Sequence, residues 1–364
     1  MNIWKKTVGL LSVICLVMGL LPITTVFAAS MEVGTETELV AALGQAQDGD
    51  TITLSSDIEV NQQLVINADI TLDLGGYTLT NNYVNVDGTG IYRFTLITTA
   101  NVTIQNGAYE VTAPAETDGV ETRGIVASEG NLTLSSLTAA AYGINVCSYS
   151  ESGTLTILDS GISGSYAVGS FANDNTVIID GSSLVGSVCG LYHNGSYYGF
   201  ECYVSNTTIV GGDSDAGTSA NDDADGVYIS GSTTTEAAAG CHTAIFTDCT
   251  ISGATGIEVK YTNLTLSNCT VTATGTTPTF EQYNNGSTTS GFAVVSTDNS
   301  MDGDDPKPSG TITINSGTYT GLIGLTELID PDLYPDFKEA TYVISGGNFT
   351  TQLSASYCAE GVTY

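Results

Sequence analysis

Leu264-Thr-Leu-Ser-Asn-Cys-Thr-Val271 alternates apolar and polar residues, pauses on small polar ones, and returns to an apolar position. Alternation with a period of two marks a strand that buries one face. The same register restarts at Ile70, Val102, Leu132, Leu155, Val177, Cys202, Ala244, Ile312 and Tyr342. Successive starts are 32, 30, 23, 22, 25, 42, 20, 48 and 30 residues apart. The short intervals cluster, and the long ones read as the same period carrying an insertion. Recurrence of this kind marks stacked repeats, each of which buries its apolar face only against its neighbours.

A second phrase interleaves with the first. A glycine precedes two apolar residues spaced by one at Gly124-Ile125, Gly143-Ile144, Gly190-Leu191, Gly226-Val227, Gly256-Ile257, Gly291-Phe292 and Gly321-Leu322. One repeat therefore reads strand, loop, strand, tight polar turn, short strand, and ten starts predict about ten coils of a parallel β-helix. The expected solenoid runs over residues 51–350. Leu39-Val-Ala-Ala-Leu-Gly-Gln-Ala-Gln-Asp-Gly-Asp-Thr-Ile-Thr-Leu54 leading into Ile70-Thr-Leu-Asp-Leu-Gly-Gly-Tyr-Thr-Leu79, with Ile344-Ser-Gly-Gly-Asn-Phe349, resembles the pectate-lyase-like superfamily. The likeness is greatest to secreted and surface β-helix proteins of Gram-positive bacteria. It implies an all-β, right-handed parallel β-helix over the mature chain. It does not choose an activity, because one fold hosts many.

The two ends read differently. Lys5 and Lys6, the apolar run Val8 to Leu21 and the small-residue close Val26-Phe27-Ala28 make residues 1–28 a secretory signal. The run is short for a membrane span, so no transmembrane segment is expected after cleavage. Residues 29–50 are expected to hold a short capping helix. Thr35 is placed to cap its amides, Glu38 to reach back, and Leu39, Val40, Ala42, Leu43 and Ala46 recur at helical spacing. Such a cap shields the first coil's open edge. Residues 351–364 read as a tail with no obvious cap.

Charge excludes some partners. The chain has 39 acidic and 7 basic residues, and removing Lys5 and Lys6 leaves 5 − 39 = −34. Nucleic acid and anionic membranes are repelled by such a field, and so are polyanionic glycans unless a metal intervenes. Seven of the 8 cysteines follow the signal. Cys249 and Cys269 hold the same place in neighbouring repeats and read as stacked thiols rather than a bridge, because their side chains run parallel. Cys189 with Cys202 is a weaker candidate for a disulfide across one coil.

Candidate functional residues come from the glycine phrase. If its apolar positions face inward, the position between them faces out, giving Tyr192, Tyr228 and Glu258, with Asn194, Ser230 and Lys260 two residues on. Tyrosine rings pack on the C–H face of a sugar while acids and amides bond its hydroxyls, so this strand face predicts a polysaccharide or surface-glycan ligand. His193 has inward parity and reads as a core residue, and His242 reads as a loop residue before a strand. The loops Asn221-Asp-Asp-Ala-Asp-Gly226 and Asp298-Asn-Ser-Met-Asp-Gly303 offer alternating oxygen ligands, making Asp223, Asp225, Asp298 and Asp302 candidate calcium ligands. Neither loop has a closing glutamate at the twelfth position.

The resemblance implies two possible chemistries. A lyase needs a basic side chain beside calcium, and Lys260 near Glu258 is the one pair on the suspected face. A hydrolase of the family carries Gly-His-Gly and Arg-x-Lys, and both are absent. The expectation is therefore a non-catalytic rod that displays a glycan-binding face, adhesin-like or a scaffold. The alternative is a polysaccharide lyase or glycoside hydrolase using Glu258 and Lys260, and a spacer without ligand is the third reading.

Overall fold

All ten starts stack in one unbroken column. Ile70 pairs with Val102, then in turn Leu132, Leu155, Val177, Cys202, Ala244, Leu264, Ile312 and Tyr342, every step parallel and in register. All of them are buried, as are the residues two positions on, from Leu72 to Ile344. The computed structural model describes residues 28–85, 91–112, 120–196, 199–213, 224–231, 242–280, 289–297, 310–325 and 339–361. Nearly all of its strands belong to one continuous parallel system that winds as a right-handed β-helix.

Each coil contributes to three sheets. Sheet A is the column just described. Sheet B follows it through a tight turn and includes Ile58–Val60, Thr78–Asn81, Thr208–Val210, Thr250–Gly253, Cys269–Ala273 and Gly317–Thr320. Sheet C includes Tyr92–Thr98, Glu121–Ala127, Ile144–Ser148, Asp225–Gly231, Thr255–Lys260 and Phe292–Ser296, and the glycine phrase falls at all of these but the first. Short alternating runs make sheet A because β-branched Thr, Val and Ile suit a strand with one buried face. The outward threonines Thr71, Thr103, Thr133 and Thr156 lie directly over one another, and Ile178 follows them.

The turn from sheet A to sheet B is built by two ladders. Its first residue lies in the left-handed region, at Asn106, Ser136, Asp159, Asn206, Asp248 and Asn268 with φ of 48° to 58°. Short polar side chains tolerate that region best, which explains the polar pause in each phrase. The next residue turns inward. Ser160 Oγ accepts from Leu137 N–H at 3.1 Å, Ser182 Oγ from Ser160 N–H at 3.1 Å, and Thr207 Oγ1 from Ser182 N–H at 3.3 Å. Each hydroxyl also donates to the carbonyl two residues back. Cys249 and Cys269 continue this row as thiols, with Sγ donating to Thr247 O at 3.2 Å and to Ser267 O at 3.4 Å. Both are free, as are Cys147, Cys189, Cys202 and Cys358. Cys189 and Cys202 form no bridge: Cys189 stands outside sheet C while Cys202 points into the lumen from sheet A.

The glycine phrase stacks less evenly than its spelling suggests. Gly190, Gly226 and Gly256 share one column with Ala167 and Ala293. A Cβ at those glycines would lie 2.6–2.8 Å from a carbonyl oxygen of the next coil, so the strands close up there because no side chain intervenes. Gly143, Gly291 and Gly321 instead sit two residues earlier in register, with φ of 88°, 81° and 122°. They bend the chain into the strand. Identical letters thus serve two backbone tasks.

The first coil is closed by two elements. Helix α1, Glu36–Gln45, buries Leu39, Ala42 and Leu43 in the main core. Thr35 Oγ1 accepts from Glu38 N–H at 3.3 Å, and Glu38 Oε2 accepts from Gly34 N–H at 2.9 Å. That bond to Gly34 holds the Glu38 carboxyl below its usual range. Ser30–Val33, ahead of the Thr35 cap within the expected 29–50 capping region, adds a strand to sheet A beside Thr51–Leu54. At the other end the tail does cover the last coil. Ala355–Tyr357 forms one 3-10 turn, Tyr357 packs on Tyr342 with centroids 4.3 Å apart, and Cys358 bridges to Ile344.

His193 is a lumen residue, as its parity predicts, and is completely buried. His242 does not lie in a loop. It opens the strand His242–Thr247 and sits in the same layer, its ring edge-on to His193 at 5.2 Å. Phe200 stacks flat on His193 at 3.5 Å, and its N–H donates to His242 Nδ1 at 3.3 Å. Burial lowers His242 to about 4, and burial with the neighbouring His242 pushes His193 well below the ordinary range. Both rings are neutral at pH 7.

Candidate functional site

The outward side chains of sheet C form the chemistry-bearing face. They fall in columns, one of which runs Val65, Ile97, Val126, Cys147, Gly169, Tyr192, Tyr228, Glu258 and Val295. Tyr192, Tyr228 and Glu258 are thus stacked in successive coils on the predicted side of the sheet. Exposure is where the expectation fails. Tyr192 is 9% exposed, and Tyr228, Glu258 and Lys260 are 0%. They point away from the lumen into small second cores outside the sheet, one of which joins Cys189, Tyr192 and Tyr228 to Tyr166 and Phe171. Asn194 is half-buried, and its Nδ2 donates to Tyr192 Oη at 2.8 Å.

Glu258 and Lys260 meet as an ion pair, Oε1 to Nζ, at 3.7 Å. Thr297 Oγ1 donates to Oε1 at 2.7 Å and Thr289 Oγ1 to Oε2 at 2.6 Å. Lys260 Nζ also lies 5.5 Å from the Tyr228 ring centre. Thr289 belongs to a small hairpin, Thr279–Phe280 with Thr289–Ser290, so Glu258 fastens that hairpin to the coil. The pair serves as an anchor in this conformation.

The aromatic column extends further toward the N-terminus than the glycine phrase reveals. Tyr228 stacks on Tyr192 at 5.2 Å, Tyr192 meets Tyr166 at 5.1 Å and Phe171 at 6.0 Å, and Phe171 stacks on Tyr149 at 5.1 Å. Arg123 closes this end, its guanidinium carbon 5.0 Å from the Phe171 centre, 5.9 Å from Tyr149 and 4.9 Å from Tyr92. The aromatic row is therefore held between two buried cations, Arg123 and Lys260, each worth roughly 0.5–2 kcal/mol against a ring face. Arg123 Nη2 pairs with Glu121 Oε2 at 2.7 Å, while Nε and Nη1 are buried among the rings without a hydrogen-bond partner. The Cys147 thiol lies beside the guanidinium; burial pushes it up to about 12 against the pull of Arg123. It is not a nucleophile at neutral pH.

Accessible space opens at this end. A cleft of about 260 Å³ is lined by Tyr92, Phe94, Ile97, Val126, Ser128 and Tyr149, drawn from three consecutive coils of sheet C. Tyr92 and Phe94 lie 5.8 Å apart at one wall, and Tyr149 provides the other. All three rings are half-buried. An aromatic-walled, hydroxyl-bearing cleft of this size suits a flat ring with one apolar face.

Sequence reasoning missed this half for identifiable reasons. Tyr149 and Phe171 follow coils in which Gly143 stands two residues early and Ala167 replaces the marker glycine. Tyr92 and Phe94 belong to a coil with no such glycine at all. Alternation in Tyr92-Arg-Phe94 was the available signal.

Of the candidate calcium ligands, Asp223, Asp298 and Asp302 lie outside the described residues. Asp225 is not a loop residue but the first residue of the strand Asp225–Gly231, and it is fully buried. Among the described residues no group of three or more His, Cys, Asp or Glu side chains is arranged to hold a metal ion. No helix among them is long and apolar enough to cross a membrane.

No family model matches the chain, and no curated protein matches it in sequence. Among solved structures the chain is similar to an alginate lyase from Paenibacillus sp. str. FPU-7, with 11% identity and a TM-score of 0.42. That match covers 92% of this chain and 98% of the other.

Proposed function

We propose that this chain is a secreted or cell-surface β-helix protein of the pectate-lyase-like superfamily that binds a glycan on the outer face of sheet C without cleaving it. The signal-like residues 1–28 support export. The observation that supports the binding role is the cleft of about 260 Å³ whose walls include the half-buried rings of Tyr92, Phe94 and Tyr149. Against catalysis stands the burial of Glu258 and Lys260, which are fully enclosed and neutralise one another. A proton-transfer pair has to reach the substrate, and these two reach each other.

The test is retention of protein starting at Ala29 on a panel of insoluble and soluble polysaccharides, with product release measured on the same samples. Retention without shortened chains, lost on Tyr92→Ala together with Tyr149→Ala, is the expected result. Retention unchanged by those substitutions defeats the cleft as the site. The enzyme reading has one observation in its favour: an acid and an amine stand 3.7 Å apart on the same outer face, beside Tyr228. Product that disappears in Lys260→Ala would establish that reading instead.

A further inference from the structure

The charges around the cleft are one-sided. The chain has 7 basic residues. Lys5, Lys6, Lys307 and Lys338 lie outside the described residues, and the remaining three are buried, Arg93 at 5% exposure, Arg123 at 4% and Lys260 at 0%. Arg93 donates from Nε to Val84 O at 3.1 Å and from Nη1 to Thr122 Oγ1 at 3.0 Å. Arg123 is committed to Glu121 and to three rings, with its other nitrogens sealed from solvent. The two histidines are buried and neutral. Among the described residues, every ionised side chain that reaches solvent is therefore a carboxylate.

Carboxylates also border the cleft. Ser128 lines it, and exposed Glu129 is the next residue. Tyr149 lines it, and exposed Glu151 lies two residues on; Asp174, also exposed, follows Phe171 in the next coil. All three lie in the connection from sheet C to sheet A, one per coil. Successive coils rise by roughly 4.8 Å; Glu129 and Glu151 follow the coils that line the cleft and Asp174 follows the coil beyond it.

Resting on the glycan-binding reading above, we propose that the cleft takes a cationic glycan, a chain of amino sugars bearing free ammonium groups. The Tyr92, Phe94 and Tyr149 rings take the C–H faces of the sugar, and Glu129, Glu151 and Asp174 pair with successive ammonium groups. Among the described residues an anionic glycan finds no exposed cation, and it meets the net negative charge of the whole chain. A neutral glycan gains the rings but not the carboxylate row.

The experiment measures binding of the chain from Ala29 onward to four probes of matched length: glucosamine, N-acetylglucosamine and glucose oligomers, and oligolysine. At low salt the glucosamine oligomer binds tighter than the other two sugars by on the order of tenfold. That gap closes as salt shortens the screening length. Glu129→Gln with Glu151→Gln removes the gap while leaving the neutral sugars unaffected, and both positions are exposed enough to tolerate the change. Tyr149→Ala weakens all three sugars and spares oligolysine. Equal or tighter binding of the N-acetylated or neutral oligomer overturns the proposal while leaving the cleft as a glycan site. Oligolysine binding as tightly as the amino sugar, with Tyr149→Ala silent, overturns it as mere polyanion attraction. No sugar binding at all removes the glycan reading itself.

Discussion

Lowering the pH should unfasten this solenoid at one identifiable layer, the His193–Phe200–His242 stack. His242 titrates near 4 in the folded chain against 6.5 when unfolded, because burial disfavours its charged form. The unfolded chain therefore takes up protons that the folded chain refuses. A depressed folded pKa leaves stability intact above about 6.5 and drains it as pH falls toward about 4, the reverse of a histidine that gains an acidic partner. At 1.36 kcal/mol per unit, the loss is about 2 kcal/mol by pH 5 and about 3 kcal/mol by pH 4. His193 adds to it in the same direction. Surface carboxylates also titrate at the lower end, so the informative quantity is a difference between two proteins. His242→Asn keeps an acceptor for the Phe200 N–H but cannot be protonated. Urea unfolding followed by far-ultraviolet circular dichroism at a series of pH values reads the comparison, since Trp4 belongs to the signal stretch and offers no probe of the fold. The substituted chain should gain about 2 kcal/mol on the wild type between pH 7 and pH 5. Parallel curves across that window would refute the assignment of acid sensitivity to this layer.

Two further outcomes follow from the buried polar rows. Ser182→Ala removes the acceptor of the Ser160 N–H and leaves that amide unsatisfied in the turn, costing about 1–3 kcal/mol, whereas Ser182→Cys should cost less because thiols already occupy the row at Cys249 and Cys269; urea midpoints decide. Glu258→Gln breaks a fully buried ion pair, a loss of about 3–5 kcal/mol, while Glu258→Gln combined with Lys260→Met should recover much of it. Thermal unfolding of the two variants checks the pairing.

The sheets were legible because their signal is periodic. Ten strand starts chosen by alternation alone fall in perfect register along sheet A, and the inward parity of His193 holds. Parity also places Tyr192, Tyr228 and Glu258 on the correct side of sheet C. What parity does not carry is solvent exposure. A residue outside the lumen is still buried if a second layer of side chains lies over it, and that layer is assembled from residues of several coils and from insertions with no period. The first coil shows the same limit in another form. Asp50 stands where later coils have the apolar start, and there it accepts from Ala29 N–H at 2.7 Å and Gln47 N–H at 2.9 Å. A position that is apolar in ten coils becomes a carboxylate where the chain must satisfy loop amides instead.

The spacing of the repeats also explains where the open cleft lies. Every long insertion enters the coil at one of the two borders of sheet C: residues 82–91, 112–120, 211–224 and 274–291 before it, and 232–241, 298–309 and 326–338 after it. None enters the turn from sheet A to sheet B, where the serine and asparagine ladders leave no room. The coils spaced 23, 22 and 25 residues apart carry no such insertion. They hold Tyr149, Phe171 and Tyr192, and the cleft opens where this plain stretch begins. Sheet C thus carries both the long aromatic row and the open groove, while the outward column of sheet A passes from threonines to Ile178, Tyr203 and Ile245, then back to Thr265 and Thr313 before Val343.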